Sequence, residues 1–295
     1  MQLLDRRIYS TGVRLFAFGC SHYGTEKHDH DLWIEFLKKV EATPDCVVFG
    51  LGDYTDFARA HWRGHLKGWN QEDNFFESID DLVDGQLVRP FCAEIKKYCP
   101  SFSKKCVVLV EGNHHYKYGS GGRMGHTSTE EICRILDIPY GGLSAWVRMT
   151  LYRSKGTEKF GSGRNINVLL NHGQSSSSTN ISAALGKLER QTVTGWRDVD
   201  ILLSSHNHML GHLVLTEVGI ARRGRLKLIE HPVLVAKTGC FKKAYGDEAS
   251  STSYEEKNLF RPHARGWLEC TVKIVHKEHH HPSSHEKLEF SDFNS

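Results

Sequence analysis

The sequence predicts an α/β fold, a sandwich or a wound sheet, and three observations carry that reading. Short apolar runs rich in β-branched residues recur along the chain, amphipathic helical patterns fall between several of them, and polar loops, most of them containing glycine, follow the runs. The first run is Val13 to Phe18. After it, Leu32, Trp33, Phe36, Leu37 and Val40 recur with the spacing that places one apolar stripe on a helix. Cys46 to Phe49 is the next strand, and Phe75, Phe76, Ile79, Leu82 and Val83 repeat the helical pattern behind it.

Cys106 to Val110 is a third strand, followed by a helix over Thr129 to Leu136. Ala145 to Leu151 and Ile166 to Leu170 follow as strands, and a helix over Ile181 to Gln191 turns Ile181, Leu185 and Leu188 to one side. Beyond these come Val199 to Leu203, Leu213 to Val218, Val233 to Ala236 and Trp267 to Val275, so closely spaced that a largely antiparallel second half is expected. There is no internal repeat and no proline-rich linker. One domain over residues 1–276 is therefore expected, with a polar, disordered tail over 277–295 that carries His279, His280 and His281.

Composition narrows the function. The chain has 295 residues, with 38 Lys and Arg against 35 Asp and Glu and 39% apolar residues, the mix of a soluble globular protein rather than a collagenous or disordered one. No apolar run approaches the roughly 20 residues of a membrane helix. Asp5, Arg6 and Arg7 interrupt the place where a secretion signal would need apolar residues, so a reducing cytoplasm is expected. The 8 cysteines form no CxxC pair and imply no disulfide framework. A net charge of +3 is too small to announce a nucleic-acid partner. The 19 histidines stand out, because imidazole is the side chain of metal ligation and of proton transfer near neutral pH.

Order along the chain shows where that chemistry lies. Five strands run directly into metal-capable groups: Gly19-Cys20-Ser21-His22, Gly52-Asp53-Tyr54-Thr55-Asp56, Gly112-Asn113-His114-His115, Asn171-His172-Gly173 and Ser204-Ser205-His206-Asn207-His208. Carboxyl ends of strands are where α/β proteins bind ligands, because the loops converge there while the sheet holds them. Imidazole, carboxylate, amide oxygen and thiolate are all metal ligands.

The order Cys-x-His, Gly-Asp-x-x-Asp, Gly-Asn-His, a lone His and His-x-His, spanning residues 19–208, resembles the calcineurin-like metallophosphoesterase superfamily. The usual string there is Asp-x-His, Gly-Asp-x-x-Asp, Gly-Asn-His-Asp/Glu, His and Gly-His-x-His. The stretch from Thr238 to Trp267 is similar, more loosely, to prokaryotic and phage-encoded members. The resemblance implies a two-sheet αββα sandwich and a metal-dependent phosphoesterase acting through a metal-bridging hydroxide.

It also implies two divalent transition-metal ions, zinc, iron or manganese. Cys20, His22, Asp53 and His208 would hold the first, and Asp53, Asn113, His172 and His206 the second, with Asp53 between them. His114, oriented by Asp56, would stabilise or protonate the leaving oxygen. The substrate expected is a phosphate ester, with a phosphodiester in a nucleotide or nucleic acid favoured over a monoester. The alternatives are a phosphomonoesterase and a scaffold protein of the same fold with impaired catalysis.

Three positions depart from the family string. Cys20 replaces an aspartate, and a thiolate there favours zinc or iron over manganese and magnesium; the other reading of Cys20 is a buried thiol beside a weak or absent first ion. His115 stands where the family has Asp or Glu, which should alter how neighbouring groups are oriented more than the number of ions. Ser205 precedes His206 in place of a glycine. Between the second and third blocks, Phe57 to Trp69 mixes Arg59, Arg63 and Lys67 with Trp62 and Trp69. Arg59, Trp62 and Arg63 are the candidate nucleotide contacts, since cations track phosphates and aromatic faces stack on bases. An amphipathic cap helix with the tryptophans in the core is the competing reading.

Overall fold

The apolar runs pair into two mixed sheets. In this computed structural model the described residues are 1–56, 75–119, 125–152, 163–173, 180–196, 198–220, 228–245, 262, 264–277 and 285–294. One sheet joins β2 (Gly12–Phe18), β3 (Cys46–Gly50), β4 (Cys106–Leu109), β10 (Leu268–Lys277) and β11 (His285–Ser291) in the order β11-β10-β2-β3-β4. The β2-β3 and β3-β4 pairs are parallel, and β10 runs antiparallel to both β2 and β11. The second sheet joins β1 (Gln2–Ile8), β5 (Ser144–Leu151), β6 (Arg164–Asn171), β7 (Ile201–Ser204), β8 (Leu210–Ile220) and β9 (Leu228–Thr238) in the order β1-β5-β6-β7-β9-β8.

Side-chain alternation explains why the two sheets stack. Val13, Leu15 and Ala17 point to one side of β2 and join Val147, Met149 and Val168 of the other sheet in a single buried cluster. Phe16 and Phe18 point the other way, onto α1 (His30–Ala42) and α3 (Arg89–Tyr98). There Trp33 stacks on Phe91 with ring centroids 5.2 Å apart and also packs against Phe18 at 5.6 Å. Replacing the fully buried Trp33 with alanine should cost about 3–5 kcal/mol. On the far face of the second sheet, Leu169, Leu202 and Val235 meet Leu185 and Leu188 of α6 (Ile181–Gly195). The layers run helix, sheet, sheet, helix, the αββα sandwich expected from the sequence.

Local chemistry sets the helix ends. Asp29 caps α1 by accepting from the Leu32 backbone N–H, and it also pairs with Arg265. Thr127 and Glu130 form a reciprocal capping box on α5 (Ser128–Leu136). α2 (Phe75–Val83) runs into a single π-helical turn, Asp84–Val88, before α3, with the Arg89 N–H reaching back to the Asp84 carbonyl. Pro90 lies one residue further on and has no N–H to offer the preceding turn, which is where the normal ladder loosens. The remaining short helix is α4 (Phe102–Lys105). Among the described residues no helix is long and apolar enough to cross a membrane.

The structure adds elements that the sequence did not announce and corrects one expectation. The charged N-terminus forms the edge strand β1, paired parallel with β5. The segment expected as a disordered tail includes β11, whose Leu288 is buried between the sheets while Phe290 packs against the same cluster. Two apolar residues at a spacing of two are enough to bury one side of a strand that is otherwise polar. The second half is largely antiparallel, as expected, through β8-β9, β10-β11 and β10-β2, with β9 also pairing parallel with β7. Finally, the helices over 84–105 had no predicted counterpart. His279, His280 and His281 lie outside the described residues.

Candidate metal centre

The strand ends carrying the five motifs meet at one edge of the sandwich. Cys20 donates its backbone N–H to Gly52 O at 2.9 Å and His22 donates to Asp53 O at 3.0 Å, so the first two loops are laced together. The approach requires glycine at two points. Gly52 has φ +89, and a Cβ on it would come within 2.5 Å of Gly112 N; a Cβ on Gly112 would lie 2.0 Å from Asp53 Oδ1.

Among the described residues, eight non-glycine residues have positive φ, and five of them are Cys20, His22, Asp53, His206 and His208. A left-handed backbone costs a non-glycine residue about 1–3 kcal/mol and persists where the surroundings impose it, commonly at functional sites. Here the unfavourable backbones coincide with residues chosen from sequence for their side chains. Three of those side chains, Cys20, His22 and Asp53, are buried, as is His172.

The inward-facing atoms are acceptors aimed at one another. His172 Nδ1 bonds the Leu51 carbonyl oxygen, which places that nitrogen's proton there and leaves Nε2 as a lone pair. His172 Nε2 lies 3.0 Å from Asn113 Oδ1, 3.1 Å from Asp53 Oδ2 and 3.1 Å from His206 Nδ1. His22 Nε2 and His208 Nε2 face each other across 3.0 Å. One proton cannot serve so many acceptors, and this donor set fits a cation. The atoms of Cys20, His22 and His208 lie within 4.8 Å of one another, as do those of Cys20, Asp53 and His172. Cys20 is thus shared by the two groups.

A third cluster, His22, Asp56 and His114, adjoins these. Asp56 Oδ2 is 3.2 Å from His22 Nδ1 and Asp56 Oδ1 is 3.0 Å from His114 Nδ1, so one carboxylate steadies both rings. The His114 backbone N–H donates to Asp53 Oδ1 at 2.8 Å. Burial pushes the carboxyls of Asp53 and Asp56 upward, but when the surrounding histidines are protonated, His172 above all for Asp53 and His114 for Asp56, their bonds and charges outweigh it and hold both well below the usual carboxylate range. Burial and the neighbouring His172 push His206 down to about 4, which keeps its ring neutral.

Several groups were not foreseen from the sequence. Glu111 is buried beside His115, with its Oε1 3.0 Å from His115 Nδ1, and it also receives the hydroxyls of Thr127 and Tyr140. A carboxylate is therefore present near position 115 after all, supplied from four residues upstream. Ser205 Oγ lies 3.1 Å from Cys20 Sγ, and Thr238 Oγ1 donates to Ser205 Oγ at 3.0 Å. Lys237, buried at the end of β9, donates to Ser205 O and Ser204 Oγ, and burial pushes its ammonium down to about 8. A lysine ending the apolar run Val233 to Ala236 was the one visible signal for this group. Burial and the Asp53 charge push the Cys20 thiol well up, so a cation would have to displace its proton.

Other histidines sit elsewhere. His212 stacks on Phe293 at 3.6 Å between ring centroids, and His231 pairs with Asp200 at 3.3 Å. All eight cysteines are buried as free thiols. Arg59, Trp62, Arg63 and the rest of 57–69 lie outside the described residues, as do 175–179.

No protein-family model and no curated protein matches the chain. Among solved structures it is similar to Vps29 from Chaetomium thermophilum, at 11% identity and a TM-score of 0.33, with 94% of this chain and 95% of that one covered. A predicted phosphoesterase from Streptococcus pneumoniae aligns at 12% identity and a TM-score of 0.30 over 95% of this chain and 88% of that one. GAP50, the anchor in the inner membrane complex of Plasmodium, aligns at 11% and 0.32 over 94% and 89%. Likeness at this level decides nothing about chemistry, and the geometry of the site carries the functional reading.

Proposed function

We propose that the chain is a metal-dependent phosphoesterase of the calcineurin-like type, working in a reducing cytoplasm on a phosphodiester in a nucleotide or nucleic acid. The observation that carries this reading is the gathering of Asp53 Oδ2, Asn113 Oδ1 and His206 Nδ1 around His172 Nε2, beside Cys20, His22 and His208. Cys20, His22, Asp53 and His208 would hold one divalent ion and Asp53, Asn113, His172 and His206 a second. Such a pair supplies, when bound, an activated water and a clamp for phosphate oxygens.

The chain's own groups do the rest. His172 is fixed in one tautomer by Leu51, so its Nε2 is aimed without a reorganisation cost. His114 sits about a quarter exposed at the mouth, with its Nδ1 at Asp56. That contact orients the ring, whose other nitrogen would hand a proton to the departing oxygen. Asp56 also steadies His22, tying ion position to proton delivery. The diester preference rests on Arg59, Trp62 and Arg63 as phosphate and base contacts.

The test is hydrolysis of a chromogenic phosphodiester and a phosphomonoester with zinc, iron or manganese. Faster turnover of the diester supports the full reading, and monoester preference would overturn its substrate half. Absence of turnover with every metal would leave a binding protein and sink the enzymatic reading.

A further inference from the structure

The two departures from the family motif that lie 185 residues apart in sequence, Cys20 and Ser205, touch each other at 3.1 Å. We propose that Ser205 and Thr238, backed by Lys237, are positioning residues that hold the Cys20 sulfur as an anionic ligand, making this a thiolate site selective for zinc, iron or cobalt over magnesium and manganese. The inference rests on the reading above that Cys20 faces a cation.

Hydrogen-bond direction supplies the first argument. Thr238 Oγ1 donates to Ser205 Oγ at 3.0 Å, so the serine oxygen is already an acceptor and its own hydrogen is free to point at the sulfur. The backbone N–H of His206 bonds the same sulfur. A sulfur that receives two donors is arranged to carry negative charge. Position supplies the second argument. Ser205, Thr238 and Cys20 are all buried, so water does not compete for these bonds.

Charge supplies the third. Lys237 Nζ lies 3.2 Å from Ser205 O and 3.3 Å from Ser204 Oγ, an ammonium directly behind the residue that touches the sulfur. Space supplies the fourth: a Cβ on Gly19 would lie 2.5 Å from Ser205 Oγ, so the hydroxyl reaches the sulfur only because residue 19 is glycine. A glycine at position 205 could make neither the contact with the sulfur nor the bond with Thr238. The hydroxyl accompanies the thiol because sulfur, a larger and softer atom than a carboxylate oxygen, needs a donor beside it to stay anionic in a buried place.

The experiment is ultraviolet absorption of the full chain loaded with cobalt(II), with affinity read by competition against a chromogenic chelator. The wild type should show a sulfur-to-cobalt charge-transfer band, and Cys20→Asp should bind cobalt without it. Ser205→Ala should move the band and weaken cobalt by about 10–100-fold. Thr238→Val, nearly isosteric, should move both in the same direction by less, and it carries the test if Ser205→Ala does not fold. The proposal is overturned if the wild type shows no band, if Cys20→Asp keeps one, or if band and affinity are unchanged in the serine and threonine variants that fold. The band needs no substrate. A chain that shows it yet hydrolyses nothing keeps this inference while the phosphoesterase reading fails, and hydrolysis without the band does the reverse.

Discussion

His172 directs its Nε2 at Asp53 Oδ2 across 3.1 Å, while its other nitrogen is tied to the Leu51 carbonyl. The ring cannot rotate away without breaking that tie, so the lone pair and the carboxylate are held facing each other. The predictions below follow from that pairing and from the contacts around it.

Removing metal should destabilise the protein. With the cation gone, Asp53, Asn113 and His206 place acceptors about 3 Å from His172 Nε2, and five left-handed residues lose the ligand that compensates their backbone cost. Chelator treatment should lower the melting temperature, and zinc at 100 times its dissociation constant should restore about 2.7 kcal/mol. Thermal unfolding with and without chelator checks this, and equal melting temperatures would count against an occupied site.

His114→Ala should lower kcat by about 10²–10⁴-fold while leaving bound metal unchanged, because His114 touches Asp53 through its backbone and Asp56 through its ring. The loss should be larger for a substrate with a poor leaving group than for a nitrophenolate, which leaves without a proton. Comparing the two substrates separates proton delivery from a general structural defect.

Asp56→Asn should act on two functions at once. Asp56 contacts both His22 and His114, so metal affinity should fall by about 10-fold or more together with kcat. Titration calorimetry with zinc, run beside the activity assay, reads both; a fall in kcat with unchanged affinity would detach His22 from this carboxylate.

A pH effect is expected far from the site. Burial pushes the Glu269 carboxyl up, but Lys39 and Arg14 outweigh it and hold it below the usual range. A depressed folded-state value means the stabilisation is present above the unfolded glutamate value, about 4.3, and is lost as pH falls through the folded one. Glu269→Gln should therefore cost about 1–3 kcal/mol at pH 7, and the gap between variant and wild type should close in acid. Denaturant unfolding at pH 7 and below pH 4 checks the sign.

Most of the site was legible in the sequence because strand ends in an α/β sheet converge, so residues that are distant in the chain but follow strands become neighbours. Cys20, His22, Asp53, Asn113, His172, His206 and His208 could be selected in this way. Their partners could not. Glu111 reads as the end of an apolar strand and Ser205 as a loop residue, and nothing local says that one meets His115 and the other Cys20. The same limit applied to the fold. β2 and β3 announce themselves as buried runs, whereas β1 and β11 are edge strands whose charged outer residues hide the alternation. The π-helical turn before Pro90 depends on a backbone bond that spacing of side chains does not show.

The central claim is that these converging atoms hold two divalent ions with Asp53 between them. Metal analysis of the chain after loading with zinc and desalting tests it most directly, with Asp53→Asn measured alongside. Two ions per wild-type chain, and fewer than one in the variant, is the expected result. A wild-type chain that retains none, or a variant that retains as many as the wild type, would contradict it.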